Sequence, residues 1–382
     1  MAVAFVAALF LPVFQRAAKV FPKVTLHGAE RRIAKPHWSA QSWLNRDFQK
    51  RYADAFGQRM GFRGYLIKTW NQLNFSLFRM VSTGRGTQIV IGRDNMLYER
   101  VYIRSYNRHS DLPAERLDRT VKEVRDLQDA LGRRGIAFVL VIAPSKVEIY
   151  PELIPPGILK PDRSKRQSTY ERILPRLRKA GIRIVDGHRL FKERKRTAPC
   201  PLFPRGGIHW NYYGAGLVVE EVMKEIRAQL DRPIPQLRIT GIRVDRTVHG
   251  TDYDLGNLLN LWFNRSPAGP QTHPVFTTDT QGAAQRPNLL LLGDSFVHTL
   301  AEILLSENLC RKQDTLFYYK RRFVIPRQNG EPIDRDALDW EKELFARDAV
   351  IIEINEYWLP RIGFGFIPDA LKALRARDVN RQ

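Results

Sequence analysis

Apolar residues recur along this chain with two different periods, and the period changes near residue 87. Between residues 40 and 80 the spacing is three or four, which predicts two amphipathic helices. Glycines in the segment GQRMGFRG interrupt the pattern between them. The apolar positions are Leu44, Phe48, Tyr52 and Phe56 in the first helix and Leu66, Trp70, Leu73 and Leu77 in the second.

After residue 87, short apolar runs alternate with helical patterns. TQIVIG and NMLYER predict two short strands around a turn, and IAFVLVIA, GIRIVD, NLLLLG, TLFYY and DAVIIEI predict buried strands. Helical spacing over residues 117–131, 170–179 and 218–230, and the segment DRDALDWEKELFA, separates most of these runs. This alternation predicts an α/β fold, a parallel sheet with helices on both faces. Residues 231–287, rich in Pro, Arg, Thr and Gly, predict a long loop over the rim of the sheet.

The N-terminal segment is apolar but short. Residues 2–14 carry no charge and are followed by Arg16 and Lys19. A membrane-spanning helix needs about 20 apolar residues, so this segment is more typical of a signal-peptide core or a truncated anchor. A buried N-terminal helix is the alternative. We therefore expect an anchor or uncleaved signal at 1–22, a helical region at 23–84 and the α/β domain at 85–382.

Charge narrows the class of partner. The 382-residue chain has a formal net charge of +22, which attracts polyanions. No zinc-finger spacing, RNP-like strand or basic helix-turn-helix is present, so nucleic acid is not a predicted partner. An acidic polysaccharide and an anionic membrane surface remain. Cys200 and Cys310 lie in neither a CxxC motif nor a histidine cluster, so we expect no metal site and no cofactor; whether the two pair stays open.

One predicted strand ends in a turn that carries a serine. In LLLLGDSFVHTL, Asp294 makes the turn and Ser295 stands at the start of the next helix. Functional sites in open α/β sheets form at the carboxyl ends of the strands. Backbone N–H groups at a helix start can stabilise an oxyanion, but Asp294 or Ser295 could equally be a helix cap.

A serine nucleophile needs a base, and His209 has the most suitable setting. It lies in PRGGIHWNYYGAG, where two glycines and an aromatic pair predict a tight loop between a strand and a helix. His298 would lie one turn into the helix that follows Ser295, as a wall of the site or a surface residue.

Taken together, these segments resemble a known family. LLLLGDSF and GGIHWNYYGA, with FGQRMGFRGYLIKTWNQ, VIGRDNMLYE, VIAPSKVEIYPELIP, YDLGNLL and IIEINEYWLP in order, are similar to the SGNH-hydrolase-like domain of the alginate O-acetyltransferases of the AlgX/AlgJ type. The resemblance covers roughly residues 40–365 and implies a Ser-His-Asp triad. Ser295 would carry the acetyl group and His209 would be the base, with Asp294 in the turn that presents the serine.

The chain departs from this family at one position. The family commonly has Asp two residues before the histidine, where this chain has Gly207. Asp186, at the end of GIRIVD, is the candidate substitute. The other two hypotheses are a Ser-His dyad and a degraded site.

Three more residues lie in family-like segments expected to face the active edge of the sheet. Lys146 would hold an acidic sugar, Tyr150 would stack on it or donate to it, and Glu353 would bind substrate. The structural alternatives are a solvated charge for Lys146, a packed aromatic ring for Tyr150 and a strand-end ion pair for Glu353.

The resemblance implies a periplasmic O-acetyltransferase, held at the inner membrane by its N-terminal segment, that acts on an exopolysaccharide or another cell-surface glycan. A separate membrane-bound O-acyltransferase would supply the acetyl group. The alternatives are an acetyl esterase of the same fold and a non-catalytic glycan-binding or assembly factor of polysaccharide export.

Overall fold

The computed structural model of the chain describes residues 2–28, 34–81, 88–108, 110–160, 167–263, 271–279, 285–323 and 330–379. The strands are β1 Ile89–Ile91, β2 Leu97–Glu99, β3 Ala137–Ala143, β4 Ile184–Asp186, β5 Gln236–Asp245, β6 Gln271–Asp279, β7 Asn288–Gly293, β8 Lys312–Phe317, β9 Arg321–Phe323, β10 Glu331–Pro332 and β11 Ala349–Asn355. The α-helices are α1 Ala2–Ala18, α2 Ala40–Leu44, α3 Asp47–Arg59, α4 Arg63–Phe78, α5 Arg100–Tyr106, α6 Ala114–Gly132, α7 Lys146–Ile149, α8 Thr169–Lys179, α9 Gly187–Arg194, α10 Tyr212–Leu230, α11 Asp254–Leu258, α12 Val297–Ser306 and α13 Phe366–Val379. Short 3-10 segments span Arg93–Asn95, Pro151–Leu153 and Glu356–Gly365, and a π-helical turn spans Glu341–Phe345.

A mostly parallel sheet occupies the centre of the molecule, which confirms the predicted fold class. Its strand order is β10-β9-β8-β7-β11-β3-β4. The strands from β8 to β4 pair in parallel, and β9 and β10 are antiparallel at one edge. Every residue of β3 and β11 is buried, as expected for strands with helices on both faces.

Alternate side chains of β3 enter two separate cores. Val139 and Val141 pack on the face covered by α10 and α12, whereas Phe138 and Leu140 pack on the face covered by α6, α8 and α13. The period of two along an extended strand produces this division. The predicted helix with its apolar face at 117–131 is confirmed as α6.

Two predictions of local structure were wrong. The stretch 231–287 contains an antiparallel ribbon, in which β5 pairs with β6, and the short helix α11, so it is not a simple loop. The ribbon was missed because its strands are half exposed and mix polar with apolar residues. The segment DRDALDWEKELFA is helical only at Glu341–Phe345. The expected boundary between residues 84 and 85 lies outside the described residues.

Helices α1 to α4 precede the α/β body. The α1 side chains Phe5, Leu9 and Phe10 are each more than 60% exposed, so the alternative of a buried N-terminal helix is wrong. In the part of the chain that the structure describes, no helix combines the length and hydropathy needed to cross a membrane. Cys200 and Cys310 are both buried and unpaired.

Candidate active site

The turn that carries Ser295 joins β7 to α12 at the carboxyl edge of the sheet, as predicted. The Asp294 carboxylate accepts hydrogen bonds from the N–H of Phe296 (3.0 Å) and from the N–H of Asn355 (2.8 Å), which ties the turn to the end of β11. Gly293 has no room for a side chain because an added Cβ would lie 2.5 Å from Glu353 Oε2. The residues before the serine are therefore constrained by packing against β11.

Glu353 lies under this turn and not in the site, which corrects its prediction as a substrate-binding residue. Its side chain has no exposed surface, and its Oε2 accepts a hydrogen bond from the N–H of Asp294 (3.1 Å). Burial, with the charge of Asp294, raises the pKa of Glu353 well above its ordinary value. Burial also raises the pKa of Asp294, against the opposing effect of the Phe296 and Asn355 N–H groups. The pair thus supports the turn from below, where no sugar reaches it.

His209 lies on the loop before α10, and its orienting partner is Asp254. Nδ1 of His209 donates to Oδ2 of Asp254 at 2.7 Å. The other carboxylate oxygen of Asp254 accepts hydrogen bonds from the N–H of Ile208 (2.9 Å) and the N–H of Leu255 (2.7 Å). This arrangement sets the histidine tautomer with the proton on Nδ1, so Nε2 keeps its lone pair. Nε2 is buried and has no hydrogen-bond partner among the described residues.

The position at which the family commonly has its acid is filled by backbone. A Cβ at Gly207 would lie 2.4 Å from the carbonyl oxygen of Thr251 and 2.8 Å from Cγ of Pro204. The segment that closes on Gly207 is the one that leads into α11, and α11 begins with Asp254. The carboxylate beside His209 is therefore supplied by Asp254, 45 residues after the histidine, and not by a residue two positions before it.

The prediction of Asp186 as the substitute acid was wrong. Its carboxylate caps the start of α9 by accepting from the N–H of Arg189 (3.0 Å). It also accepts from the Tyr170 hydroxyl (3.0 Å) and pairs with the Arg178 guanidinium (2.8 Å). Asp254 was missed, although its segment YDLGNLL had been identified as similar to the family.

Lys146 and Tyr150 are structural, and both predictions of sugar binding are corrected. The Lys146 ammonium donates to the backbone carbonyls of Leu97 (3.0 Å), Pro204 (2.6 Å) and Gly207. Burial lowers the pKa of Lys146 to about 7. The Tyr150 hydroxyl accepts from the N–H of Leu202 at 3.0 Å, and the residue is 9% exposed. Lys146 fastens the loop before His209 to β2.

Ser295, His209 and Asp254 line one open cavity of about 380 Å³. Its other walls include Glu99, Tyr102, Leu258, Tyr318, Tyr357 and Trp358. A second cavity of about 410 Å³ shares Tyr318 and Trp358 with it and adds Lys320, Arg361 and Phe364. Sequence reasoning missed these aromatic walls, although Tyr357 and Trp358 lie in the family-like segment IIEINEYWLP.

Tyr318 stands next to the serine. Its backbone takes a left-handed conformation (φ 50°), and its N–H donates to the Gly293 carbonyl at 2.8 Å. Burial raises the pKa of Tyr318 to about 12, and hydrogen bonding to the side chains of Ser295 and Trp358 acts in the opposite direction. A neutral phenol is therefore held at the Ser295 hydroxyl over the physiological pH range. Among the described residues, no cluster of side chains could hold a metal ion.

The sequence of this chain is similar to a known protein family and to two proteins of Pseudomonas. A family model described as the SGNH hydrolase-like domain of the acetyltransferase AlgX matches residues 89–307. Probable alginate O-acetylase AlgJ of Pseudomonas aeruginosa is 29% identical over a region that covers 59% of this chain and 59% of that protein. The corresponding protein of Pseudomonas syringae pv. tomato is 28% identical, over 40% of this chain and 36% of that protein.

Among solved structures, the O-acetyltransferase domain of Pseudomonas putida AlgJ is similar with a TM-score of 0.46 and 17% identity, covering 76% of this chain and all of that one. This chain spans about three fifths of the P. aeruginosa relative and about one third of the P. syringae relative. The match to the family model extends over more than half of the chain and includes both His209 and Ser295. The chain belongs to the family of the SGNH hydrolase-like domain of the acetyltransferase AlgX.

Proposed function

We propose that this protein is an O-acetyltransferase that carries acetyl on Ser295 and transfers it to hydroxyl groups of a bacterial exopolysaccharide or another cell-surface glycan. The observation that carries the proposal is the contact of 2.7 Å between His209 and Asp254 in the cavity that Ser295 lines. The names of the two AlgJ relatives support the choice of acetyl and of a polysaccharide acceptor.

Acetyl transfer proceeds in two steps, the acetylation of Ser295 and the transfer of acetyl to the acceptor. In the first, Nε2 of His209 takes the Ser295 proton while Oγ attacks the acetyl carbonyl, and the protonated imidazole then gives the proton to the departing donor oxygen. In the second, Nε2 takes a proton from a sugar hydroxyl, the sugar oxygen attacks the acetyl carbon, and the Ser295 oxygen leaves and recovers the proton. Asp254 stabilises the imidazolium that forms in each step. The start of α12 adds the positive end of a helix dipole beside the developing oxyanion.

The second cavity suits an acidic glycan. Lys320 and Arg361 supply positive charge, and Trp358 supplies a flat apolar surface within reach of Ser295's cavity. The Arg361 guanidinium lies over that ring, with 5.6 Å between the guanidinium carbon and the ring centroid. These residues, and not Lys146, are the ones we propose for acceptor binding.

We place the protein in the periplasm, with the N-terminal segment at the inner membrane and a separate membrane-bound O-acyltransferase supplying the acetyl group. The apolar α1 and the net charge of +22 support this placement. The alternative of a non-catalytic glycan-binding or assembly factor depended on the missing acid at Gly207. Asp254 supplies an acid to His209, so Gly207 no longer supports that alternative.

Incubation with a chromogenic acetyl ester, followed by mass spectrometry of the peptide that contains Ser295, tests the proposal. We expect an acetyl adduct on Ser295 that disappears when an oligosaccharide acceptor is added, with acetyl recovered on the acceptor. Ser306→Ala, at the end of α12, is the matched control for Ser295→Ala. Turnover that persists in Ser295→Ala would exclude Ser295 as the nucleophile. Loss of the adduct to water alone, at an equal rate with and without acceptor, would identify an esterase.

A further inference from the structure

Helix α4 turns its polar side towards the body of the protein. The Asn71 side-chain amide donates to the Leu259 carbonyl at 2.8 Å. The Gln72 side-chain oxygen accepts from the N–H groups of Trp262 (3.1 Å) and Phe263 (3.0 Å). Phe75 packs on the cluster around Leu259 on the same side. Polar contacts therefore provide much of the attachment of α4.

The opposite side of α4 is an apolar stripe that faces water. The α4 stripe consists of Leu66, Trp70, Leu73 and Leu77, which are 52%, 61%, 53% and 69% exposed. At 3.6 residues per turn, these four positions fall within an arc of roughly 60°. The centre of that arc lies opposite Asn71 and Phe75. A surface helix normally buries its apolar stripe, and a large exposed patch of this kind marks an interaction surface.

The chain before α4 also carries exposed aromatic residues. Trp38, Trp43 and Tyr52 are each at least half exposed. The segment after α1 meets the start of α4, where the Phe21 ring centroid lies 5.5 Å from that of Phe62 and 6.3 Å from that of Tyr65. Tryptophan and tyrosine are enriched where proteins meet the headgroup level of a bilayer.

Charge decides between a bilayer and a second copy of the chain. Residues 34–81 contain eight Lys or Arg residues and two Asp or Glu residues, and α4 itself contains no acidic residue. Two copies of so basic a surface would repel each other, in a protein whose net charge is already +22. A partner that is both apolar and negatively charged fits the surface, and a bilayer containing anionic lipids has both properties.

We propose that residues 34–81 form a membrane-binding face, in which the α4 stripe inserts into the headgroup region of an anionic phospholipid bilayer without spanning it. This inference goes beyond the acetyl transfer and does not depend on it. The inner side of α4 holds residues 259–263, which follow the α11 segment that carries Asp254. A single helix layer, about 10 Å thick, therefore separates the membrane-binding face from the segment that carries Asp254.

A fluorophore placed within the α4 stripe tests whether that part of the helix enters the bilayer. Leu73→Cys in the full chain can be labelled with an environment-sensitive nitrobenzoxadiazole dye, since Cys200 and Cys310 are buried. Val244→Cys on β5, 58% exposed, is the matched control. With vesicles of phosphatidylcholine and phosphatidylglycerol, we expect the emission at position 73 to rise severalfold, shift to the blue and be quenched by a lipid-borne quencher. Position 244 should show none of these changes.

A second pair of variants measures affinity. Leu66→Gln combined with Leu73→Gln should weaken vesicle binding by about tenfold, because two apolar side chains are lost from the bilayer contact. Val275→Gln, on β6, should leave vesicle binding unchanged, and both variants should keep the rate of ester cleavage. Binding should also fall with added salt and be weak on phosphatidylcholine alone.

Three results would overturn the proposal. In the first, the protein binds vesicles while the dye at position 73 stays in water, which would assign binding to α1. In the second, the dye responds to protein concentration without lipid, which would assign the stripe to self-association. In the third, neither the protein nor the dye at position 73 responds to the lipid vesicles.

Discussion

His209 and Asp254 lie 45 positions apart in the chain, yet Nδ1 of the histidine is 2.7 Å from Oδ2 of the aspartate. The same carboxylate accepts the N–H of Ile208, the residue directly before the histidine. The acid therefore orients both the ring and the backbone that carries it. This contact replaces the Asp-x-His arrangement that Gly207 excludes, and it is the basis of the first prediction.

Asp254→Asn should lower the rate of Ser295 acetylation by about a hundredfold to ten-thousandfold, because an amide neither holds the Nδ1–H tautomer reliably nor stabilises the imidazolium. The rate is measured with a chromogenic acetyl ester under single-turnover conditions. Asp186→Asn is the matched control, since Asp186 is the acid that the sequence suggested. We expect Asp186→Asn to retain the wild-type acetylation rate. A large loss in Asp186→Asn with normal acetylation in Asp254→Asn would contradict the assignment.

Gly207→Ala should lower the free energy of unfolding by about 1–3 kcal/mol, since the new methyl group meets the Thr251 carbonyl at 2.4 Å. Gly57→Ala is the control, because a Cβ at Gly57 in α3 meets no atom within 4 Å. It should stabilise α3 by about 0.5–1 kcal/mol. Denaturant unfolding measures both. For the same reason Gly207→Asp should not rescue Asp254→Asn. Equal stability of Gly207→Ala and the wild type would show that position 207 has room for a side chain.

Glu353→Gln should remove a pH-dependent contribution to stability. A carboxyl group whose pKa is raised in the folded state binds its proton more tightly there than in the unfolded chain. Its favourable contribution is complete below the unfolded pKa, near 4.5, and is lost as the pH rises towards the folded pKa. The stability of Glu353→Gln relative to the wild type should therefore increase between pH 5 and pH 8, as followed by denaturant unfolding. Parallel pH profiles for the two proteins would contradict a protonated Glu353.

Tyr318→Phe should lower the acetylation rate by about tenfold, which corresponds to the loss of one hydrogen bond to the Ser295 hydroxyl, about 1.4 kcal/mol. The ring remains, so the melting temperature should change little. Tyr319→Phe is the matched control. Tyr319 is fully buried and packs edge-on against Phe366 in the core covered by α6, α8 and α13, so we expect normal acetylation. An unchanged rate in Tyr318→Phe would assign the phenol to the cavity wall alone.

The sequence by itself determined the five parallel strands of the central sheet, the helices α6, α8 and α10, and the turn that carries Ser295. These elements depend on local periodicity: β3 and β7 are continuous apolar runs, and the apolar positions of α6 recur at helical spacing. A parallel strand that ends in Gly-Asp-Ser also places its serine at the carboxyl edge of the sheet. Because such signals are local, the sequence predicted the positions of the candidate nucleophile and of its base.

Only the tertiary structure decided which acid serves His209 and which polar residues are buried. Asp254 reaches His209 because the segment before α11 closes on Gly207, a contact between residues far apart in the chain. Lys146 and Glu353 resembled site residues in sequence, but both are buried. Lys146 donates to backbone carbonyls of Leu97 and Pro204, and Glu353 accepts from the backbone N–H of Asp294, so their partners come from other parts of the chain. The exposure of the α4 stripe is likewise a property of packing. Periodicity identifies an apolar face, whereas only the folded chain shows whether that face is covered.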